Sequence, residues 1–278
     1  MKFTQINFSS RKNDSIKLFK PFFILLLIIF SNLVAIDLNL PPSAAHNATN
    51  GLSLILQNPS SGSLNPAICN PGIETSATYL FGLKELPYYN FHSAFRFKNF
   101  GFLLGNSYLD HKLYRENIVN LAVNYNLQKF SFGLNFRHLY NRIENYQKDS
   151  SIIFDAGLKW ENNKIITGFS VRNFLQSSFL KEQLPIFYLW ETCYHISSKS
   201  KISIGLEKQD NFDFSFKIAG SYNFFRILTI LTSYQYEPDR IGIGAVFNLK
   251  KIKVTYSIRT QQYLDLTHYI SVGYALRK

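Results

Sequence analysis

The sequence predicts an all-β fold, a transmembrane antiparallel β-barrel of about fourteen strands with a short plug-like N-terminal segment. Three observations carry that reading. From Thr75 onward, large apolar side chains alternate with small, polar or charged ones. The connections between the alternating runs follow a short–long rhythm. Near the N-terminus stands one apolar run of the kind that directs export. Alternation with a period of two places one set of side chains on each side of a strand. In the stretch 201–276, Phe212, Phe214, Phe216 and Ile218 share a face opposite Asp213, Ser215, Lys217 and Ala219; Ile252, Val254, Tyr256 and Ile258 oppose Lys253, Thr255, Ser257 and Arg259.

Taken in order, residues 1–35 read as a secretory signal peptide. Lys17 and Lys20 precede a core of about ten apolar residues, too short to cross a bilayer comfortably, and Ser31–Ala35 offers small residues for cleavage near Ala35. No cysteine follows that would anchor a lipoprotein. Residues 36–74 are rich in Pro, Ser, Asn and Gly, with one apolar piece at Leu52–Leu56. They read as an irregular N-terminal plug segment with one helical turn. Residues 75–278 form the barrel. Its strands are expected near 75–83, 88–98, 99–107, 117–127, 129–140, 151–160, 164–173, 185–197, 200–208, 211–223, 226–236, 240–249, 251–259 and 267–277. If the first strand rises from the periplasm, every even-numbered connection is a short periplasmic turn; Gln128, Glu161–Asn163, Ser198-Lys199 and Lys250 comply. The longer outward connections include 110–116, 141–150 and 174–184.

Composition agrees with strands. The chain has 26 Phe, 17 Tyr and one Met, and aromatic residues fit a pleated surface. The formal charge of +12 includes five Lys or Arg and one Asp in residues 1–35, so removing them leaves 25 basic against 17 acidic residues. The cations are scattered singly through strands, which fits a wetted lumen and no nucleic-acid partner. Cys69 and Cys193 could form one disulfide or remain two buried thiols.

Fourteen strands enclose a lumen too wide to fill with apolar side chains, since eight already leave an interior just wide enough for them. The aromatic and aliphatic face must then point outward, where only lipid stabilises it. Trp160, Trp190, Tyr234 and Tyr236 suit interfacial girdles. By parity Arg96, Arg137, Asp155, Lys159, Arg172, Glu191, Lys217, Lys253 and Arg259 are candidate lumen-facing charges. They would either attract small anions or pair with one another and with the plug. A secreted soluble β-sandwich would bury the same aromatics between two sheets, and is the competing fold.

Leu64-Asn65-Pro66-Ala67 stands just before the first strand. The chain from about residue 50 onward resembles the outer-membrane FadL-type transporters and their PorV/PorQ-like relatives, with Asn65, Pro66 and Ala67 as the plug motif. Gly205-Leu206-Glu207, Ser215–Tyr222, Tyr234–Asp239, Ile241–Ala245 and His268–Tyr274 extend the likeness through the C-terminal strands. The outer loops are too short for a large extracellular ligand groove, so the PorV/PorQ-like branch, which includes accessory barrels of a secretion system, is the nearer likeness. That resemblance implies a fourteen-stranded barrel in the outer membrane of a Gram-negative-type bacterium, with passive transport of hydrophobic or small anionic molecules. The alternative is a non-transporting scaffold for envelope proteins.

Enzyme chemistry finds no footing. The six histidines form no metal-ligand spacing, and no nucleophile elbow or phosphate-cradling loop occurs. No cofactor is expected; the partners expected are the bilayer and either a hydrophobic ligand or envelope proteins.

Overall fold

A computed structural model describes residues 40–145, 147–179, 182–210, 212–261 and 264–276. The expected signal peptide and its cleavage site lie outside them. Residues 41–278 form one compact unit. Its wall is built from β1 (Gly72–Tyr79), β2 (Pro87–Phe97), β3 (Phe100–Asp110), β4 (Tyr114–Leu127), β5 (Phe130–Ile143), β6 (Gln147–Glu161) and β7 (Ile165–Arg172). A two-stranded ribbon, β8 (Ser178–Phe179) and β9 (Glu182–Gln183), interrupts the run. The wall resumes with β10 (Phe187–His195), β11 (Ser200–Gln209), β12 (Ser215–Phe225), β13 (Leu228–Tyr236), β14 (Arg240–Leu249), β15 (Ile252–Arg259) and β16 (Thr267–Ala275).

Every wall strand pairs antiparallel with its neighbours along the chain, and β7 pairs with β10 across the ribbon. The first and last strands close the sheet over eight residue pairs, Gly72↔Ala275 to Tyr79↔His268. The barrel therefore has fourteen strands and no free edge, which satisfies every backbone group that lipid would otherwise leave unpaired.

Side chains sort across the wall by parity. Phe91, Leu104, Phe132, Leu158, Ile243 and Ile270 lie on the outer face, and Leu134 is 63% exposed. Asn90, His92, Asn120, Asn135, Ser203, Ser257 and Ser271 are buried on the inner face. An apolar belt of this extent is stable only against hydrocarbon. The barrel has its polar side inward, as the parity argument requires.

Three local expectations change. β12 starts at Ser215, so Phe212 and Phe214 precede the strand rather than sharing its outer face with Phe216. Trp190 stands fourth among the nine residues of β10 instead of at its end, while Tyr236 does end β13. The loop after β7 carries the β8–β9 ribbon.

Candidate functional site

The inner face is covered by Pro41–Pro71, which traverses the lumen in three stretches. The first is a five-residue helix, α1 (Ala44–Ala48), seated on β13–β16. Its small side chains allow that approach: Ala45 and Ala48 pack on Leu231 and Val246, and a Cβ on Gly242 would lie 2.5 Å from the Ala48 carbonyl oxygen. Inner-face serines take its polar groups. Ser271 Oγ accepts from Ala44 N at 2.9 Å, Ser257 Oγ accepts from Asn47 Nδ2 at 3.1 Å, and Ser233 Oγ donates to the Ala48 carbonyl at 2.7 Å. Asn50 and Gly51 then turn the chain at positive φ.

The second stretch is apolar. Leu52, Leu54, Ile55 and Ile68 bury against Ile166, Leu189, Cys193 and Ala219, each full burial contributing about 1.5–3 kcal/mol before ordering entropy. Its backbone is held by a carboxylate of the wall. Glu191 Oε1 accepts from Leu54 N at 2.8 Å and Ser203 Oγ at 2.9 Å, and its Oε2 accepts from Ser53 N at 2.8 Å and Ser53 Oγ at 3.1 Å.

The third stretch runs from the 3₁₀ turn Pro59–Ser63 to Cys69. Here Glu74 accepts from Ser60 Oγ at 2.5 Å, Asn58 Nδ2 at 3.2 Å and Ser60 N at 3.3 Å. Asn65 Nδ2 points at the carbonyls of Leu158 and Phe169, 3.3 and 3.4 Å away, while its Oδ1 accepts from Ala67 N at 3.0 Å. Asn124 Nδ2 donates to the Ala67 carbonyl at 3.2 Å. The Asn65-Pro66-Ala67 backbone comes this close because the wall beneath it is glycine: a Cβ on Gly133 would lie 2.1 Å from Pro66 backbone, and one on Gly157 2.1 Å from Asn65 Oδ1.

His46 is wholly buried. Its Nδ1 meets Ser43 Oγ at 2.9 Å and Ser60 Oγ at 3.4 Å, and its Nε2 meets Ser61 Oγ at 3.0 Å. Burial, with a further push from His92, lowers its pKa to about 3, so a neutral imidazole ties α1 to the 3₁₀ turn. Burial raises the Cys69 thiol, opposed by Arg96. Cys69 and Cys193 are free and sit in separate clusters.

The nine candidate charges do not converge on one site. Arg137 and Asp155 pair at 2.7 Å, and Asp155 also accepts from Asn135 Nδ2 and Asn173 N, both at 2.9 Å. Arg172 and Lys217 meet through Glu207, at 3.4 and 3.0 Å. Lys159 pairs with Glu161 at 2.7 Å. Arg96 donates to the Cys69 carbonyl at 2.8 Å, and Lys253 lines the same crevice as Glu74. Arg259 is buried on β15 between Gly242 and Thr267. Glu74 and Glu207 were not among the candidates. Parity would have found both, since Glu74 alternates with Ser76 and Thr78, and Glu207 with Ser203 and Gly205. Among the described residues no group of three His, Cys, Asp or Glu could hold a metal ion.

On the outer face, Val123, Tyr125, Phe132, Leu134, Leu158 and Phe169 line an apolar hollow of about 540 Å³ over β4–β7. It lies on the opposite side of the wall from Asn65-Pro66-Ala67.

Among solved structures, the CymD monoaromatic hydrocarbon channel superposes with a TM-score of 0.64 at 8% identity, over 86% of this chain and 99% of that one. The toluene transporter TodX of Pseudomonas putida gives 0.56 at 8% identity, over 83% and 96%. These likenesses show the FadL-like barrel fold. No curated protein matches the sequence. Residues 92–274, from β2 to β16, match the family described as type IX secretion system membrane protein PorP/SprF. With its closed fourteen-stranded wall and outward apolar belt, the chain is an outer-membrane barrel and belongs to that PorP/SprF family.

Proposed function

We propose that this protein is a closed, non-conducting outer-membrane barrel that serves the secretion machinery as a scaffold for envelope proteins. Residues 41–71, within the expected segment 36–74, act as its plug. The short-turn end, which carries the start of β1 and the end of β16, faces the periplasm, and residues 1–35 are removed near Ala35. The observation that carries this reading is the way the wall holds the plug. Glu74 and Glu191 are buried and spend their oxygens on plug amides and hydroxyls. The candidate cations Arg137, Lys159, Arg172 and Lys217 are engaged with carboxylates of the wall, which leaves them no role as a relay for anions. Membership of a secretion-system family points to protein partners.

Passage of hydrophobic molecules is the second reading. The apolar hollow over β4–β7 favours it, as do the names of the solved relatives, a hydrocarbon channel and a toluene transporter. It requires Asn65-Pro66-Ala67 to leave its glycine seat. Planar-bilayer recording and uptake of labelled toluene into proteoliposomes separate the two. The scaffold reading expects no steady conductance and no uptake above protein-free vesicles, with envelope proteins recovered by crosslinking in cells. Steady conductance or accelerated uptake by the wild-type chain overturns it. N-terminal sequencing of the mature protein checks cleavage near Ala35.

A further inference from the structure

Charge is segregated between the two ends of the barrel. Six short connections join the wall strands at one end: 98–99, 128–129, 162–164, 196–199, 226–227 and 250–251. Every one carries Lys or Arg (Lys98, Lys129, Lys164, Lys199, Arg226 and the Lys250-Lys251 pair), and none carries Asp or Glu, Glu161 being the last residue of β6. The seven connections at the other end hold eight Asp or Glu and three Lys. None of the short-turn cations forms an ion pair among the described residues.

Two details show which way this ring faces. Lys98 Nζ lies 5.6 Å from the Phe97 ring centroid, and Lys251 Nζ lies 5.8 Å from the Tyr274 ring. Both rings belong to the outer, lipid-facing side, Phe97 being 64% exposed. These ammonium groups therefore fold over the apolar belt instead of into the lumen, as cations do at a membrane interface. The turns also keep lysine against backbone preference: Lys98 and Lys250 have φ of 53° and 57°, a conformation that tight hairpins normally give to Gly or Asn.

We propose that the basic rim binds anionic phospholipid, its cations ringing the barrel with contacts to headgroup phosphates in the leaflet that meets the short-turn end. The spacing argues for lipid over a protein. The cations recur at all six short hairpins, and Lys98 and Lys251 lie on the outer side, which matches an annulus of lipid, whereas a docked protein would cover one sector or the mouth. Placing that leaflet at the periplasmic side rests on the orientation proposed above; binding itself does not.

The test uses the full mature chain reconstituted in vesicles of phosphatidylcholine with spin-labelled phosphatidylglycerol or phosphatidylcholine. Electron paramagnetic resonance gives the relative association of each label with the barrel. Wild-type protein is expected to select phosphatidylglycerol by roughly fivefold, the effect of one interfacial cation. Selection should fall toward unity in about 1 M salt, where the Debye length is near 3 Å, and in the K98Q/K129Q/K164Q/K199Q variant. Heat-modifiable migration checks that the variant is folded, and the salt titration stands if it is not. Neutralising four acids at the other end (E85Q/E144Q/D210N/E237Q) should not lower selection. Equal association of both labels with the wild type overturns the proposal and leaves the rim to an acidic protein. Selection that survives both the salt and the lysine substitutions overturns it as well. Because the readout is independent of conductance, failure here is distinct from failure of the scaffold reading.

Discussion

Gly133 is the most direct handle on the plug. Its backbone does not need glycine for conformation, so Gly133→Ala probes space alone. The new methyl would stand 2.1 Å from the Pro66 carbonyl carbon and oxygen and 2.5 Å from Ala67 N. Those atoms are backbone and cannot rotate away, so the peptide must lift by more than about 1 Å to restore van der Waals distance. Overpacking of this kind costs about 1–3 kcal/mol. Lifting also strains the Asn124 bond to the Ala67 carbonyl and the two long Asn65 contacts, together about 1 kcal/mol net. A loss near 3 kcal/mol corresponds to roughly a hundredfold faster opening, at about 1.4 kcal/mol per tenfold. Hydrogen–deuterium exchange of peptides covering residues 61–70 should show that acceleration, with β4 and β5 unchanged. Gly220→Ala is the control, because its methyl would meet only Thr232 Cγ2 at 3.7 Å. Exchange in 61–70 that stays within tenfold of wild type in Gly133→Ala would refute the claim that these glycines exist to seat the plug.

Three further outcomes follow from buried polar groups. Glu191→Gln keeps the shape but replaces one acceptor oxygen with a donor, so amides at Ser53 and Leu54 should exchange about a hundredfold faster, at 1–3 kcal/mol per orphaned donor. Asp155→Asn leaves the Arg137 guanidinium buried without its carboxylate, which costs about 3–5 kcal/mol and should lower the temperature of the heat-modifiable transition. Unlike the plug variants, it weakens the wall itself. His46 gives a pH dependence with a definite sign. Its pKa falls from 6.5 to about 3 on folding, so the unfolded chain binds the extra proton and stability is lost as pH falls from about 6.5 toward 3. By pH 4.5 the loss is about 3 kcal/mol. The drop in transition temperature between pH 7 and pH 4.5 should be smaller in His46→Asn than in wild type, and equal drops would exclude His46 as the titrating group.

The wall was legible in the sequence because lipid enforces strict alternation: one face must be apolar, and each strand is read without knowing its neighbours. Where that pressure ends, so did legibility. Phe212 and Phe214 keep the period of two but precede Ser215, because an extended loop at the rim alternates as well as a strand does. The lumen was harder. Arg137 and Asp155 could be placed inward by parity, yet their pairing depends on the register Asn135↔Asp155 between β5 and β6. Glu191 was placed inward, but its partners are backbone amides at residues 53 and 54, which carry no sequence signal. Glu74 escaped because β1 begins at Gly72, three residues before the strand expected from residue 75. Asn65-Pro66-Ala67 was visible as a motif, while its glycine seat is assembled from Gly133 on β5, Gly157 on β6 and Gly168 on β7, where a Cβ would lie 3.0 Å from Asn65 Nδ2.

The seam between β1 and β16 joins residues about two hundred positions apart, so it is the one ladder that cannot form until both ends of the wall are present. The plug precedes β1 in the chain, and its helix rests on β13–β16, with Ala44 bonded to Ser271 in the final strand. A segment made first is thus completed by strands made last. The plug's seat is therefore complete only once the strands on both sides of the seam are in place.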